Sequence, residues 1–413
     1  IDQTYKKKTD KGEFYFFKKP PESIETKFVL QKNLPKILDK TSWKKSMRWA
    51  DHELYWGRPL KSILCCFDNK TLEFEYHHLV SSNITFIDKD FEQKTKKFVR
   101  FKDYLAFFKS QNIILDNKKR EQFIVDQLNR IAKKENLKIH FNSTLLNEVT
   151  NIVEKPNIIK CRFNKRFLEI PDDILVTTMQ VHQKYFPTFD SRDNLTNNFF
   201  LVADNKDSKG LIKIGNENVV EARLNDAKFF WDKNKTQNLV KGISNLKKLS
   251  YFEGLGSYFE KIQRLRKLGA LISDELLISK EKVEIASSIC KVDLTSDLVN
   301  EFPELQGVMG GHFAKSQGFD NDICLAIREH YLPTGPETKT PKKPYSVTLA
   351  ISDKLDTLSG FFAINLKPTS SKDPFALRRS AIGLIRLIIE NKLEIKLKDI
   401  INYSFSLFSE QDV

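Results

Sequence analysis

The hydrophobic pattern changes near residue 245, and this change constrains the fold more than any other feature of the chain. Before it, short apolar runs with two-residue alternation are interspersed with helical segments, whereas only helical spacing follows it. Strand-bearing sequence followed by helical sequence is typical of an α+β protein with separate parts. We predict a mixed α/β domain over residues 1–240, an all-α domain over 241–395 and the start of a further region over 396–413.

The element predictions follow the same periodicities. Strands are predicted at residues 13–17, 62–67, 71–80, 157–163, 184–189 and 198–203. Helices are predicted at residues 22–38, 103–110, 118–134, 143–153, 217–231, 251–271, 274–291, 321–331, 347–362 and 373–391. Asp68 and Asn69 are typical turn residues and predict a hairpin between the second and third strands. Either Asn142 or Ser143 is expected to cap the helix that ends at 153.

The stretch at residues 372–379 opens the last predicted helix with an unusual charge pattern. Asp373 can accept hydrogen bonds from free N–H groups, and Pro374 suits the first helical position. Arg378 and Arg379 then lie near the positive end of the helix dipole, where each cation costs a few tenths of a kcal/mol unless an anion lies opposite. We therefore predict an anionic partner for these two arginines.

Two interpretations of this helix stay open. It is either a core helix whose arginines pair with Asp353 and Asp356, or an edge that faces RNA. Gly383 lies beside Arg386 and leaves room for the close approach of another backbone. The residues predicted to form the buried stripe are Leu377, Ala381, Leu384, Ile385 and Ile388.

The composition bounds the function only coarsely. The net charge of +14 (68 Lys+Arg against 54 Asp+Glu) predicts a polyanionic partner, although the abundance of lysine also fits a low-GC genome. Five cysteines without a Cys-x-x-Cys pair favour a reduced, cytoplasmic protein. No apolar run approaches the roughly 18 residues of a membrane span, so no membrane partner is expected. The chain opens on Ile1 rather than Met, which favours a fragment.

Common catalytic motifs are missing from the sequence. It contains no Gly-rich phosphate loop, no Gly-x-Ser-x-Gly elbow and no His-Glu-x-x-His helix. The helical part offers two imidazoles, His312 and His330, and three nearby carboxylates: Asp293, Asp353 and Asp356. A metal-dependent phosphohydrolase of the helical type would use a His-Asp dipeptide among its ligands, and this sequence contains none. We therefore expect no bound metal.

The expectations for His330 and His182 differ. We expect His330 to be a hydrogen-bonded polar residue at a helix end. His182 stands beside Lys184 in a polar run, where a catalytic role and a purely structural one both stay open.

A series of long motifs carries a family resemblance. These motifs lie at residues 47–51, 145–150, 177–187, 215–217, 222–230, 301–307, 329–333, 353–358 and 372–379. In this order the chain closely resembles the beta subunits of bacterial heterotetrameric glycyl-tRNA synthetases, from about residue 48 to 390. The resemblance implies a domain similar to the B3/B4 module of phenylalanyl-tRNA synthetase over 1–240 and an HD-like domain over 241–395. It also implies that this chain lacks the anticodon-binding region found at the family's C-terminus.

The resemblance further implies a tRNA-binding subunit of a glycine–tRNA ligase, without catalytic residues or a bound cofactor of its own. The family's alpha subunit makes glycyl-adenylate using ATP and Mg²⁺, and the assembly is an α2β2 heterotetramer that charges tRNA(Gly). We take six basic residues as candidate tRNA contacts, four from the helical domain and two from the first domain: Lys372, Arg378, Arg379, Arg386, Lys184 and Arg223. Two alternatives are kept: a stand-alone HD-type metal phosphohydrolase, and a degenerate, non-catalytic RNA-binding fragment.

Overall fold

The computed structural model describes residues 4–17, 23–89, 92–369 and 373–409. Lys372, a predicted tRNA contact, lies outside the described residues. The chain divides into two compact units, Ile1–Asp116 and Asn117–Val413. Small antiparallel sheets in the first two hundred residues and helices in the C-terminal part confirm the predicted α+β class.

The strands and helices are as follows. The strands are β1 (Thr4–Thr9), β2 (Gly12–Phe17), β3 (Cys66–Phe67), β4 (Lys70–Thr71), β5 (Glu75–Tyr76), β6 (Leu79–Val80), β7 (Ile84–Lys89), β8 (Glu92–Lys97), β9 (Asn157–Arg162), β10 (Phe186–Phe189), β11 (Leu195–Ala203), β12 (Ser250–Phe252) and β13 (Gly256–Ser257). The helices are α1 (Thr26–Asp39), α2 (Phe101–Ser110), α3 (Asn117–Lys134), α4 (Ser143–Ile152), α5 (Asp172–Thr177), α6 (Leu211–Asn234), α7 (Leu239–Gly242), α8 (Tyr258–Leu276), α9 (Lys280–Ile289), α10 (Asp297–Glu301), α11 (Val308–Ser316), α12 (Asn321–Glu329), α13 (Pro344–Ala363), α14 (Leu377–Glu390) and α15 (Leu397–Ser409).

The first unit consists of hairpins and two helices around a small core. The hairpin predicted at Asp68 and Asn69 is confirmed, because both residues adopt positive φ angles and β3 pairs with β4. Its strands are shorter than expected, and the region predicted as one strand at 71–80 contains the separate hairpin β5–β6. The buried core residues of this hairpin region are Leu54, Phe74 and Tyr76.

In the second unit, a three-stranded sheet in the order β10–β11–β9 separates two apolar clusters. Strand alternation sends Phe199 and Leu201 of β11 into the larger cluster, which includes residues of α6 to α13. Phe200 points the other way, towards Ile124 of α3 and Leu145 of α4. Asn142 caps α4 by accepting hydrogen bonds from two backbone N–H groups, as predicted.

Helix α13 is the central element of the helical part, where it packs against α8, α9, α12, α14 and α15. The prediction that no strand follows residue 245 is wrong, because β12 and β13 form a short hairpin before α8. Gly254 and Gly256, both with φ near 80°, allow its tight turn. The predicted limits at 240 and 395 stay predictions, although the larger apolar cluster includes residues on both sides of 240, such as Phe199 and Phe313.

Candidate functional site

Helices α8 and α13 bring together a network of buried charges at the centre of the helical part. Lys261 Nζ lies 2.8 Å from Oδ2 of Asp356, and Arg264 Nε lies 2.5 Å from its Oδ1. The three side chains are at most 2% exposed. Burial opposes ionisation of Lys261, but Asp353 and Asp356 raise its pKa well above the usual value. The network is therefore held in its charged state by mutual pairing.

Lys291 extends the network from the end of α9. Its Nζ lies 2.8 Å from Oδ1 of Asp353 and 2.9 Å from Nε2 of His330, and it lies over the ring of Tyr331, 3.8 Å from the ring centroid. Burial alone would raise the pKa of Asp353, yet Lys261 and Lys291 hold it far below its usual range.

His330 confirms the prediction of a hydrogen-bonded polar residue at a helix end. It follows α12, is fully buried, and its Nδ1 lies 2.5 Å from the carbonyl oxygen of Ile327. Burial and the nearby Lys291 lower its pKa to about 3, so the imidazole is neutral. Since an ammonium can only donate, Nε2 accepts from Lys291 and Nδ1–H donates to Ile327.

The side chains of the helical part that were considered as metal ligands therefore contact other protein groups. The ammonium of Lys291 lies between His330 and Asp353, where it supplies the positive charge that these two groups face. His312 lies elsewhere, with Nε2 2.8 Å from Oδ2 of Asp173, and Arg328 binds the other oxygen of that carboxylate. Over the ranges that the structure describes, no three His, Cys, Asp or Glu side chains are grouped so that they could hold a metal ion. This arrangement disfavours the metal phosphohydrolase alternative.

His182, the other histidine with an open interpretation, pairs with a distant carboxylate. Its Nε2 lies 2.6 Å from Oε1 of Glu304, and its ring packs edge-on against Phe302. These contacts join the segment before β10 to the turn that follows α10. They give His182 a structural role.

Asp293 is a fully buried carboxylate close to the same network. Its Oδ2 accepts the N–H groups of Gly307 (2.5 Å) and Gly310 (3.1 Å) at the start of α11, and its Oδ1 has no hydrogen-bond partner. Burial raises the pKa of Asp293 to about 6, although these N–H groups act in the opposite direction. Ionisation of this carboxyl therefore costs folding free energy near neutral pH.

We expect Asp293→Asn to remove one pH-dependent component of stability. Because the folded pKa of about 6 lies above the ordinary aspartate value of 3.8, the contribution of Asp293 is fully present below about pH 3.8 and is lost as the pH rises through about 6. Between about pH 5 and 8, the free energy of unfolding of the wild-type chain should therefore fall by about 1–2 kcal/mol relative to that of the variant. Urea unfolding of both proteins across this range measures the difference, and a difference that is constant with pH would contradict the assignment.

The start of α14 departs from its prediction in one respect. Asp373 does cap the helix, since its carboxylate accepts the N–H groups of Leu377 (2.8 Å) and Arg378 (3.0 Å). Pro374 is not the first helical residue, because the helix begins at Leu377 after Ala376 with φ 56°. Phe375 explains the shift: its ring stacks on Phe361 and meets Phe252, which holds residues 374–376 in a turn.

The buried side of α14 is confirmed in part. Leu377 and Leu384 are buried, whereas Ile385 is 52% exposed and its predicted burial is wrong. Gly383 is the predicted point of close approach. A Cβ atom there would lie 3.0 Å from Cε of Lys354 and 3.4 Å from the carbonyl oxygen of Pro333.

Of the two interpretations of this helix, the one in which its arginines pair with Asp353 and Asp356 is wrong. Residues of α8 and Lys291 supply the cations that face these two carboxylates. Arg378 instead donates to the carbonyl oxygen of Thr369. Arg379 is exposed, and the described residues provide it with no ion pair.

The other candidate tRNA contacts differ in the number of hydrogen bonds and ion pairs that they form within the chain. Arg386 bonds Glu390 (2.8 Å) and the carbonyl oxygens of residues 335, 336 and 338, so it fixes the loop before α13. Lys184 pairs with Glu148 at 2.5 Å. Arg223 is exposed on α6, and among the described residues it has no ion pair with Asp226. The structure does not gather these residues into one site, and their contact with tRNA stays a prediction.

Sequence reasoning missed Lys261, Arg264 and Lys291. A signal was present, because Lys261 and Arg264 lie at helical spacing from Leu265 and Leu268, on the apolar side of α8. A charge within an apolar stripe is rarely buried without a partner. The partners could not be identified, since they lie 92 and 95 residues away on α13.

The chain is similar to known proteins over nearly its whole length. A family model described as "Glycyl-tRNA synthetase beta subunit" matches residues 1–413. The chain is 37% identical to the "Glycine--tRNA ligase beta subunit" of Rickettsia canadensis (strain McKiel) over 399 residues, which cover 96% of this chain and 59% of the relative. Similar relatives occur in Rickettsia akari (37%, 59% of its length) and Rickettsia bellii (36%, 60%). The chain thus spans about three fifths of the length of these relatives.

Proposed function

The chain belongs to the glycyl-tRNA synthetase beta-subunit family, and from this premise we propose that it is the tRNA-binding part of a glycine–tRNA ligase. The observation that carries the proposal is the match of the family model to residues 1–413. The reaction would be the ATP-dependent attachment of glycine to tRNA(Gly). We assign its chemistry, with ATP and Mg²⁺, to an alpha subunit, and we propose an α2β2 assembly in the cytoplasm.

The helical part supports this role as a rigid scaffold. The buried ion pairs between α8 and α13 hold these two helices together, and the hydrogen bonds of Arg386 hold the loop before α13 in place. A rigid surface can hold phosphates in a defined register, which positions an RNA without reading its sequence. Holding the acceptor end near an activated amino acid increases the rate through proximity. The subunit would therefore contribute to charging without a catalytic group of its own.

Among the candidate contacts that the structure describes, Arg379 and Arg223 are the most available. Both are exposed, and within the described part of the chain neither has an ion pair. Arg379 also lies in the first turn of α14, where the helix dipole favours an anion. A tRNA phosphate at this position would offset the cost of placing two arginines there.

We expect Arg379→Gln to weaken tRNA(Gly) binding and to reduce its salt dependence. A residue that neutralises one phosphate contributes about one unit to the slope of log K against log salt concentration. Fluorescence anisotropy of labelled tRNA(Gly) across a range of salt concentrations measures this slope. Arg166→Gln removes the same charge at an exposed position that pairs with Glu221, and it should leave the slope unchanged.

Two results would count against this proposal. A wild-type chain that does not bind tRNA(Gly) at low salt would remove the proposed function. Equal slopes for the wild-type chain and Arg379→Gln would leave the function in place but remove Arg379 from the contact set.

A further inference from the structure

A cavity in the first unit is not explained by any of the features described above. It has a volume of about 490 Å³ and lies between the β3–β4 turn and the segment that leads into α2. Its walls include Phe98, Phe101 and Tyr104, with Cys66 and Asn69 on the turn side. This volume is within the usual range of small-ligand sites.

Aromatic side chains supply part of the apolar lining of the cavity. The rings of Phe101 and Tyr104 are nearly parallel, at 15° with centroids 6.3 Å apart, and Phe98 meets Tyr104 edge-on at 5.5 Å. Phe101 is 73% exposed although it is a large apolar residue at the start of a helix. Exposed aromatic faces of this kind are typical stacking surfaces for nucleic-acid bases.

The lining of the cavity also contains polar and charged groups. Asp68 and Asn69 line the cavity from the turn, where a carboxylate and an amide can bond the edge of a heterocycle. Arg100 also lines it, with its Nε 2.7 Å from Asp103. Further exposed cations adjoin the lining segments in the chain: Lys70, Lys97 and Lys102. Their positive charge is complementary to a phosphate.

We propose that this cavity binds one unpaired nucleotide of an RNA. The base would stack on Phe101, and the phosphate would lie beside Arg100 and the adjoining lysines. A base within a duplex is stacked on both sides and cannot enter, so the site selects single-stranded RNA. The inference deepens the proposed function and rests on it for the identity of the RNA, which would be an unpaired segment of tRNA.

Two thiols in the cavity allow a direct test. Cys65 and Cys66 both line it, whereas Cys161, Cys290 and Cys324 are buried elsewhere. Burial raises the pKa of the Cys65 and Cys66 thiols, so alkylation is measured at mildly alkaline pH, where more thiolate is present. Peptide mass spectrometry after iodoacetamide treatment gives the rate at each cysteine, and the three buried cysteines serve as internal references.

A short single-stranded RNA should slow alkylation of Cys65 and Cys66 in a saturable manner, and a blunt RNA duplex of the same sequence should not. Phe101→Ala should raise the RNA concentration that gives half-protection by roughly tenfold, as expected for loss of one stacking contact. Tyr55→Ala removes a comparably exposed aromatic ring of the same unit that does not line the cavity, and it should have no effect.

The outcomes separate this inference from the proposed function. A chain that binds tRNA(Gly) while single-stranded RNA leaves Cys65 and Cys66 unprotected would overturn the cavity assignment alone. Protection by the duplex, or an unchanged half-protection concentration in Phe101→Ala, would overturn it as well. Protection by single-stranded RNA in a chain that fails to bind tRNA(Gly) would support the cavity and remove the proposed function.

Discussion

Replacing Asp356 by Ala is expected to destabilise the chain by about 3–5 kcal/mol, the usual cost of removing one partner from a buried ion pair. Asp356 is fully buried and binds both Lys261 and Arg264, so its loss leaves each cation without its nearest carboxylate. Asp353 relieves Lys261 only in part, because its Oδ1 lies 3.3 Å from that ammonium and already pairs with Lys291. The free energy of unfolding of an ordinary domain is about 5–15 kcal/mol, so the variant should lose a large part of its stability.

Urea unfolding followed by far-UV circular dichroism measures this loss, with Asp274→Ala as the matched control. Asp274 also lies on α8 and pairs with Lys280 at 2.7 Å, but both side chains are more than half exposed. An exposed pair of this kind contributes at most about 1 kcal/mol. Similar unfolding midpoints for Asp356→Ala and the wild-type chain would show that the network does not hold α8 against α13.

A second variant keeps the test informative if Asp356→Ala does not fold. Asp356→Asn preserves the shape of the side chain and one acceptor oxygen while it removes the charge. It should unfold at a lower urea concentration than the wild-type chain, since Lys261 and Arg264 stay buried with less compensation. If Asp356→Asn were as stable as the wild-type chain, the charge of Asp356 would not contribute to stability, and only the shape of its side chain would matter.

The local elements of the fold follow from sequence patterns, because their causes lie within a few residues. The Asp68–Asn69 hairpin and the Asn142 cap of α4 both depend on short-range backbone chemistry, and both are confirmed. The start of α14 was misplaced by three residues, because its position depends on Phe375 packing against Phe361 and Phe252. Contacts between distant segments cannot be read from local spacing.

The same distinction applies to the candidate site. The sequence indicates which residues are basic, but their partners depend on the tertiary fold. Arg386, whose contact with tRNA stays a prediction, bonds the loop before α13. Asp353 and Asp356 bind Lys261, Lys291 and Arg264. Periodicity alone could not have predicted a lysine ammonium between His330 and Asp353, because the three residues come from different helix ends and a central helix.

Glycine attachment to tRNA(Gly) in the presence of a matching alpha subunit tests the central proposal most directly. We expect this chain to bind the alpha subunit. It should also raise the rate of glycyl-tRNA formation above that of the alpha subunit alone, because tRNA held by this chain is brought near the adenylate. The increase should fall as salt is added, because phosphate contacts weaken. An alpha subunit that neither binds this chain nor charges tRNA(Gly) faster in its presence would contradict the account.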